Sequence, residues 1–174
     1  MRVADILGLV GGLNEAAVRY LVVGGLAVIA HGYIRATLDI DLVLDLEPAN
    51  LRRAVAVLED LGYRPRVPVA LVDFIDADTR RRWRDEKNML AFTVIKGGGV
   101  TQSEVDLFLD EPFDFAEAYA EAHVQAHTSG LRIPFVDLQR LRAMKRRAGR
   151  PKDLLDLDEL ARIHGDGPGP ASSG

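Results

Sequence analysis

Along the first part of the chain apolar side chains return every three to four positions. Val3, Ile6, Leu7, Val10, Leu13 and Ala17 fall on one face, which predicts an amphipathic helix over 3–18 with Gly11-Gly12 as its weak point. The segment Tyr20–Val23 is short and uniformly apolar, as a buried strand is, and 25–31 fits a short buried helix. A second strand is expected over 40–46. Pro48 suits the first turn of a helix whose stripe is Leu51, Ala54, Val55, Leu58 and Leu61, and Gly62 closes it. Over 71–87, Asp73, Asp76 and Asp78 precede Arg80, Arg81, Arg82, Arg84 and Lys87. Acid first and base last predicts one solvated surface helix, with Asp76–Arg80 and Asp78–Arg82 paired a turn apart. Residues 89–95 and 104–109 are strand-like and flank Lys96-Gly97-Gly98-Gly99, an antiparallel hairpin. A helix over 113–121, short strands over 123–127 and 131–134, and helix from 136 to 163 broken near Gly149-Arg150-Pro151 complete the reading.

The second strand carries an anomaly. Strand neighbours two apart share a face, so Asp39, Asp41, Val43 and Asp45 lie together while Ile40, Leu42 and Leu44 face the core. Adjacent carboxylates on an otherwise apolar strand are costly unless neutralised, and the usual neutraliser is a hard divalent cation. Gly24-Gly25, opening the preceding helix, offers backbone N–H groups and a positive dipole end as a seat for phosphate, and a small side chain such as Ser is expected to be tolerated at Gly25. Metal ligands beside a phosphate cradle make a nucleotide site. Arg35 and Thr37, in the loop between them, are placed either to reach phosphate oxygens or, for Arg35, to orient an aspartate by a salt bridge.

The string Val-Gly-Gly-Leu-Ala…His-Gly…Arg-Ala-Thr…Asp-Ile-Asp-Leu over residues 20–46 resembles the signature of the DNA-polymerase-β-type nucleotidyltransferases. It is similar above all to their small bacterial branch, which includes toxins of abortive-infection toxin–antitoxin systems and, more distantly, antibiotic nucleotidyltransferases. The resemblance implies a third carboxylate on a neighbouring strand, for which Val105-Asp106-Leu107 fits, with Glu104 and Asp110 as weaker substitutes. It implies that Asp39 and Asp41 hold two Mg²⁺ or Mn²⁺ ions and that Asp106 completes the site of the ion activating the acceptor. Downstream, the Lys145-Arg-Arg-Ala-Gly-Arg-Pro-Lys152-Asp153-Leu-Leu-Asp156 segment is similar to a Lys…Lys-Asp-x-x-Asp segment of toxin-type and antibiotic-modifying members. Lys145 is therefore expected at the triphosphate, and Asp153 as an acid that orients a lysine. A basic, solvated helix end is the alternative for the seven cations between Arg140 and Lys152.

Composition narrows the rest. The 174 residues are 48% hydrophobic, enough for a real core, and 22 basic against 26 acidic residues give a net charge of −4, unlike a nonspecific polyanion binder. With no cysteine, disulfides, thiolate zinc sites and cysteine nucleophiles are excluded. No apolar run is long enough for a membrane span and the start lacks a signal-peptide layout, so a cytoplasmic protein is expected. The Gly triplet is not a phosphate-binding loop, because no Lys-Ser/Thr follows it. His123 and His127, four apart, read as ordinary surface residues, and His31 as structural.

The expected fold is α/β (α+β by some conventions): a small mixed sheet of the polymerase-β-type nucleotidyltransferase fold, flanking helices and a C-terminal helical pair. The expected organisation is a core over 1–134, a helical segment over 135–164 packed on it, and a disordered Gly/Pro/Ser-rich tail over 165–174. The implied activity is Mg²⁺-dependent transfer of a nucleoside monophosphate from an NTP to a hydroxyl. The basic segment and the length favour a toxin-like enzyme acting on tRNA or another RNA beside a cognate antitoxin. The rivals are an antibiotic- or protein-modifying transferase and a catalytically silent nucleotide-binding partner protein.

Overall fold

A computed structural model describes residues 3–98, 102–128 and 130–165. Its order is α1 (Val3–Glu15), β1 (Tyr20–Val23), α2 (Gly24–Ala30), β2 (Asp39–Leu44), α3 (Pro48–Asp60), β3 (Arg64–Pro65), a 3₁₀ turn (Leu71–Ile75) and α4 (Ala77–Lys87). There follow β4 (Ala91–Lys96), β5 (Ser103–Phe108), α5 (Phe115–Ala120), β6 (His123–Ala126), β7 (Arg132–Phe135), α6 (Leu138–Ala148) and α7 (Pro151–His164). The strands form one mixed sheet in the order β3-β4-β5-β2-β1-β7-β6. β2 pairs parallel with β5 and β1 with β7, and the other four neighbouring pairs are antiparallel. The expected fold class is the observed one.

Burial follows the period of each element. All four residues of β1 are buried, and β5 alternates with Val105 and Leu107 inside and Glu104, Asp106 and Phe108 on the other face. Val43 departs from the simple alternation of β2: it shares the aspartates' face yet is fully buried. In α3, Glu47 caps Asn50 N–H, Pro48 fills the first turn, and Leu51, Ala54, Val55 and Leu58 supply the buried stripe.

Two expectations are corrected. Gly11-Gly12 is not a weak point, because α1 runs through it to Glu15. A Cβ on Gly12 would stand 2.9 Å from Val57 Cγ1, so glycine here lets α1 approach α3 closely. The segment 71–87 is not one solvated helix. It breaks at Asp76, which caps α4 by accepting from Thr79 N–H, and Asp78 pairs with Arg81 rather than Arg82. Arg80 turns inward, donating to the Phe74 and Ile75 carbonyls at 2.7 and 2.8 Å, and Trp83 stacks on Phe92 at 4.9 Å. The aromatic face of α4 is core, and core packing outweighs the charge pattern. Gly99 of the predicted hairpin loop and the predicted disordered tail from 166 onward lie outside the described residues; the hairpin pairing itself is present from Ala91↔Phe108 to Lys96↔Ser103.

The helical pair at the end also follows local rules. Gly149, at φ +61°, closes α6 in the left-handed conformation, and Pro151 starts α7 at a position that needs no N–H. α6 packs on both α7 and α2, and Asp156 of α7 pairs with Arg35 in the loop that leads into β2.

Candidate active site

The site forms where β1 ends and β2 starts. Because these strands are antiparallel, with Val23 opposite Asp41, the Gly24-Gly25 corner lies against the aspartates. Gly24 has φ +62°, and a Cβ there would fall on the Asp41 carboxylate, so only glycine lets the backbone pass this close. A Cβ on Gly25 would overlap Thr37 Oγ1 and come within 3.1 Å of an Arg35 guanidinium nitrogen. The Gly25 amide donates to Asp41.

β2 and β5 run parallel with Asp39↔Glu104 and Asp41↔Asp106 as register partners. Asp39, Asp41 and Asp106 therefore converge, and each offers a carboxylate oxygen within 4.8 Å of the others. They form the one such cluster of metal-ligating side chains among the described residues. Thr37 Oγ1 donates to Asp39 Oδ1 at 3.1 Å, and Thr93 Oγ1 to Asp106 Oδ1 at 2.6 Å. Thr93 is a site residue that the sequence reading missed. The signal was the hairpin register, since Thr93 on β4 is the direct partner of Asp106.

Electrostatics at the cluster are unfavourable without a cation. Burial, followed by the charges of Asp39 and Asp106, pushes the Asp41 carboxyl up to about 6, although the Gly25 amide and Lys145 pull the other way. Asp106 is raised for the same first reason, burial, with Asp39 and Glu104 adding to it and Thr93 opposing. Three hard oxygen donors held together against their own repulsion fit Mg²⁺ or Mn²⁺. The weaker substitutes are engaged elsewhere: Glu104 pairs with Arg66 at 3.1 Å and Asp110 with Arg84 at 3.5 Å.

The C-terminal cations reach this site through a buried network. Lys145, 5% exposed, donates from Nζ to Asp153 Oδ1 at 2.9 Å and Asp156 Oδ2 at 2.7 Å. Arg35 completes the other side of Asp156: its Nε lies 2.7 Å from Oδ1, though that N–H is not aimed at the oxygen, and an Nη donates to Oδ2 at 3.1 Å. Arg35 thus forms a salt bridge, but to Asp156 of α7 rather than to Asp39 or Asp41. Arg150, 61% exposed, donates from Nε to Asp153 Oδ2 at 2.6 Å. That hydrogen bond raises the Arg150 guanidinium pKa, and the Asp41 and Asp39 charges add to it.

The seven cations between Arg140 and Lys152 are not a uniformly solvated basic end. Arg142 is buried and donates to the Leu160 and Gly165 carbonyls, and Arg140 pairs with Asp137 and Glu121. Arg146, Arg147 and Lys152 remain exposed. His31 is structural, its Nε2 2.8 Å from the Val136 carbonyl oxygen, with the His123 ring 4.9 Å away and His164 Nε2 2.6 Å from the His31 carbonyl oxygen.

No family model matches the chain, and no protein of curated description matches it in sequence. Solved structures do. The chain superposes on ANT(2'')-Ia, crystallised with adenylyl-2''-tobramycin, with a TM-score of 0.56 and 17% identity over 91% of this chain and 87% of that one. It superposes on the lincosamide antibiotic adenylyltransferase LnuA, in its lincomycin-bound form, with a TM-score of 0.56 and 16% identity over 94% and 98%. A Thermotoga maritima protein with a provisional nucleotidyltransferase assignment gives 0.54 and 13% over 93% and 96%. Similarity at this identity establishes the fold: the chain has the polymerase-β-type nucleotidyltransferase fold over nearly its whole length.

Proposed function

We propose that the protein is a divalent-cation-dependent nucleotidyltransferase that moves a nucleoside monophosphate from an NTP to a hydroxyl acceptor and releases pyrophosphate. The observation that carries the reading is the convergence of Asp39, Asp41 and Asp106 from two parallel strands beside the Gly24-Gly25 corner. Asp39 and Asp41 would hold two Mg²⁺ or Mn²⁺ ions, with Asp106 joining the one nearer the acceptor. When bound, these ions would neutralise phosphate charge and favour the acceptor's alkoxide. Thr37 and Thr93 fix the orientation of Asp39 and Asp106, so the carboxylates stay set for an in-line displacement. Gly24 and Gly25 leave room for phosphate against bare backbone, Arg35 and Thr37 line that approach, and Lys145 contributes positive charge from behind it.

For the acceptor we infer RNA, tRNA among it, with the protein acting in the cytoplasm as the toxin of a toxin–antitoxin system. Arg146, Arg147 and Lys152, exposed on the helical pair whose Lys145 and Arg150 reach the site, support this. A drug hydroxyl is the second reading, favoured by the antibiotic adenylyltransferases that share the fold along nearly the whole chain. No helix among the described residues is long and apolar enough to cross a membrane.

Incubation of the protein with each radiolabelled NTP and Mg²⁺, with total RNA in one arm and a panel of aminoglycosides and lincosamides in another, separates these. Labelled RNA supports the first reading, and labelled drug the second. Absence of both NTP binding and label transfer in these arms and in a third arm with total lysate protein would defeat the transferase reading itself.

A further inference from the structure

The five-member network at the start of α7 is unequal: Lys145, Arg150 and Arg35 share only two carboxylates, Asp153 and Asp156. Both carboxylates are almost fully buried, at 0 and 1% exposure, so neither can be left without a cation except at high cost. One positive charge is in surplus. The three cations differ in how freely they can move. Lys145 is buried and holds both carboxylates at once, while Arg35 is held to Asp156 and to the Ala36 carbonyl at 2.9 Å. Arg150 is 61% exposed and bound to one partner, Asp153, which Lys145 also holds. It lies close enough to the carboxylate cluster for the charges of Asp39 and Asp41 to act on it.

We propose that Arg150 is the cation that meets the triphosphate, leaving Asp153 to do so, and that Lys145 is the fixed counter-ion that makes this departure possible. The assignment rests on the transferase reading and deepens it. When Arg150 turns to a phosphate oxygen, Asp153 keeps its bond to Lys145 and is not stranded. Without Lys145, the same movement would leave a buried carboxylate unpaired, and Arg150 would stay where it is. Lys145 is on this account a positioning residue for nucleotide binding, and its loss acts through Arg150.

The sharing of Asp153 makes a distinctive test. Binding of ATP (or the preferred NTP) is titrated in the presence of Ca²⁺ and without acceptor, so that affinity is read apart from turnover. Arg150→Gln is expected to weaken NTP binding by about tenfold to a hundredfold, the range of one charge-assisted hydrogen bond, while nucleoside monophosphate binding and the melting temperature hardly change. Lys145→Gln should weaken NTP binding as well. Adding Asp153→Asn to Lys145→Gln should restore it, because the amide no longer holds Arg150. A direct phosphate contact by Lys145 predicts no restoration, and a correctly folded double variant that stays weak overturns the proposal. So does Arg150→Gln binding NTP as the wild type does. If the wild type itself binds no NTP, the failure lies with the transferase reading.

Discussion

Asp41 on β2 and Asp106 on β5 stand directly opposite each other across a parallel strand pair, with β1 closing the other side of Asp41 through Val23. Neither residue can retreat from the other without breaking the sheet register. Their repulsion is therefore built into the fold, and either protonation of Asp41 or a bound cation would relieve it.

The first prediction follows for metal and nucleotide. Mg²⁺ or Mn²⁺ alone should bind weakly, and much more tightly with an NTP, whose phosphates complete the coordination shell. Asp41→Asn should lower transfer by about a hundredfold to a thousandfold, on the scale of losing a principal electrostatic contributor to catalysis, and should largely remove the metal-dependent gain in NTP affinity. Calorimetry showing the same metal–nucleotide coupling in that variant would remove Asp41 from the ligand set.

The same residue sets a pH dependence in metal-free protein. Its carboxyl is raised from 3.8 to about 6 in the folded state, so the folded state prefers the protonated form. The associated stability is fully present below the unfolded pKa and is lost as pH rises through about 6. A shift of that size corresponds to about 3 kcal/mol. With chelator present, urea denaturation should show Asp41→Asn more stable than wild type at pH 8, by up to about that amount, with the advantage shrinking at pH 5. An equal advantage at both pH values would contradict this account.

At the glycine corner the structure is stricter than the sequence. Gly24→Ala must place a methyl on the Asp41 carboxylate at a backbone angle that side chains rarely adopt, and should damage both folding and activity. Gly25→Val should raise the NTP KM sharply. Serine at Gly25, acceptable on sequence grounds, meets Thr37 Oγ1 and should release Asp39 from its hydroxyl partner. Kinetics of the three variants test the order, and a Gly25→Val enzyme with an unchanged KM would place the nucleotide elsewhere.

The acceptor class can be tested on the exposed side of α6. If the acceptor is RNA, neutralising Arg146 and Arg147 to Gln should weaken RNA binding and lower its salt slope by up to about 2, one for each phosphate contact. NTP affinity should be unaffected. With a drug hydroxyl as acceptor the double substitution should be silent. RNA binding that keeps its full salt slope would move the RNA contact off this helix.

What was legible in the sequence was what local rules govern. Period-two alternation put Asp39 and Asp41 on one face of β2 and Asp106 on the matching face of β5, and the hairpin pairing of β4 with β5 followed from two alternating runs around a glycine turn. Gly149 and Pro151 marked the break between α6 and α7 for the same reason. Charge spacing proved the poorer guide: over 71–87 it predicted pairs on a solvated helix, whereas Arg80 and Trp83 are buried.

The sequence by itself determined the carboxylates, their faces and the glycine corner, because strand geometry and backbone sterics act over a few residues. It could not determine partners far apart in the chain. Thr93 reached Asp106 only through strand register, and Arg35 found Asp156 from a distance of 121 residues because α6 and α7 pack back toward the loop that leads into β2. Lys145 carries the same charge at a solvated helix end as between two buried carboxylates. Tertiary packing alone decided which it is, since burial and partner number, the quantities that set what a cation can do, belong to the fold and not to the residue.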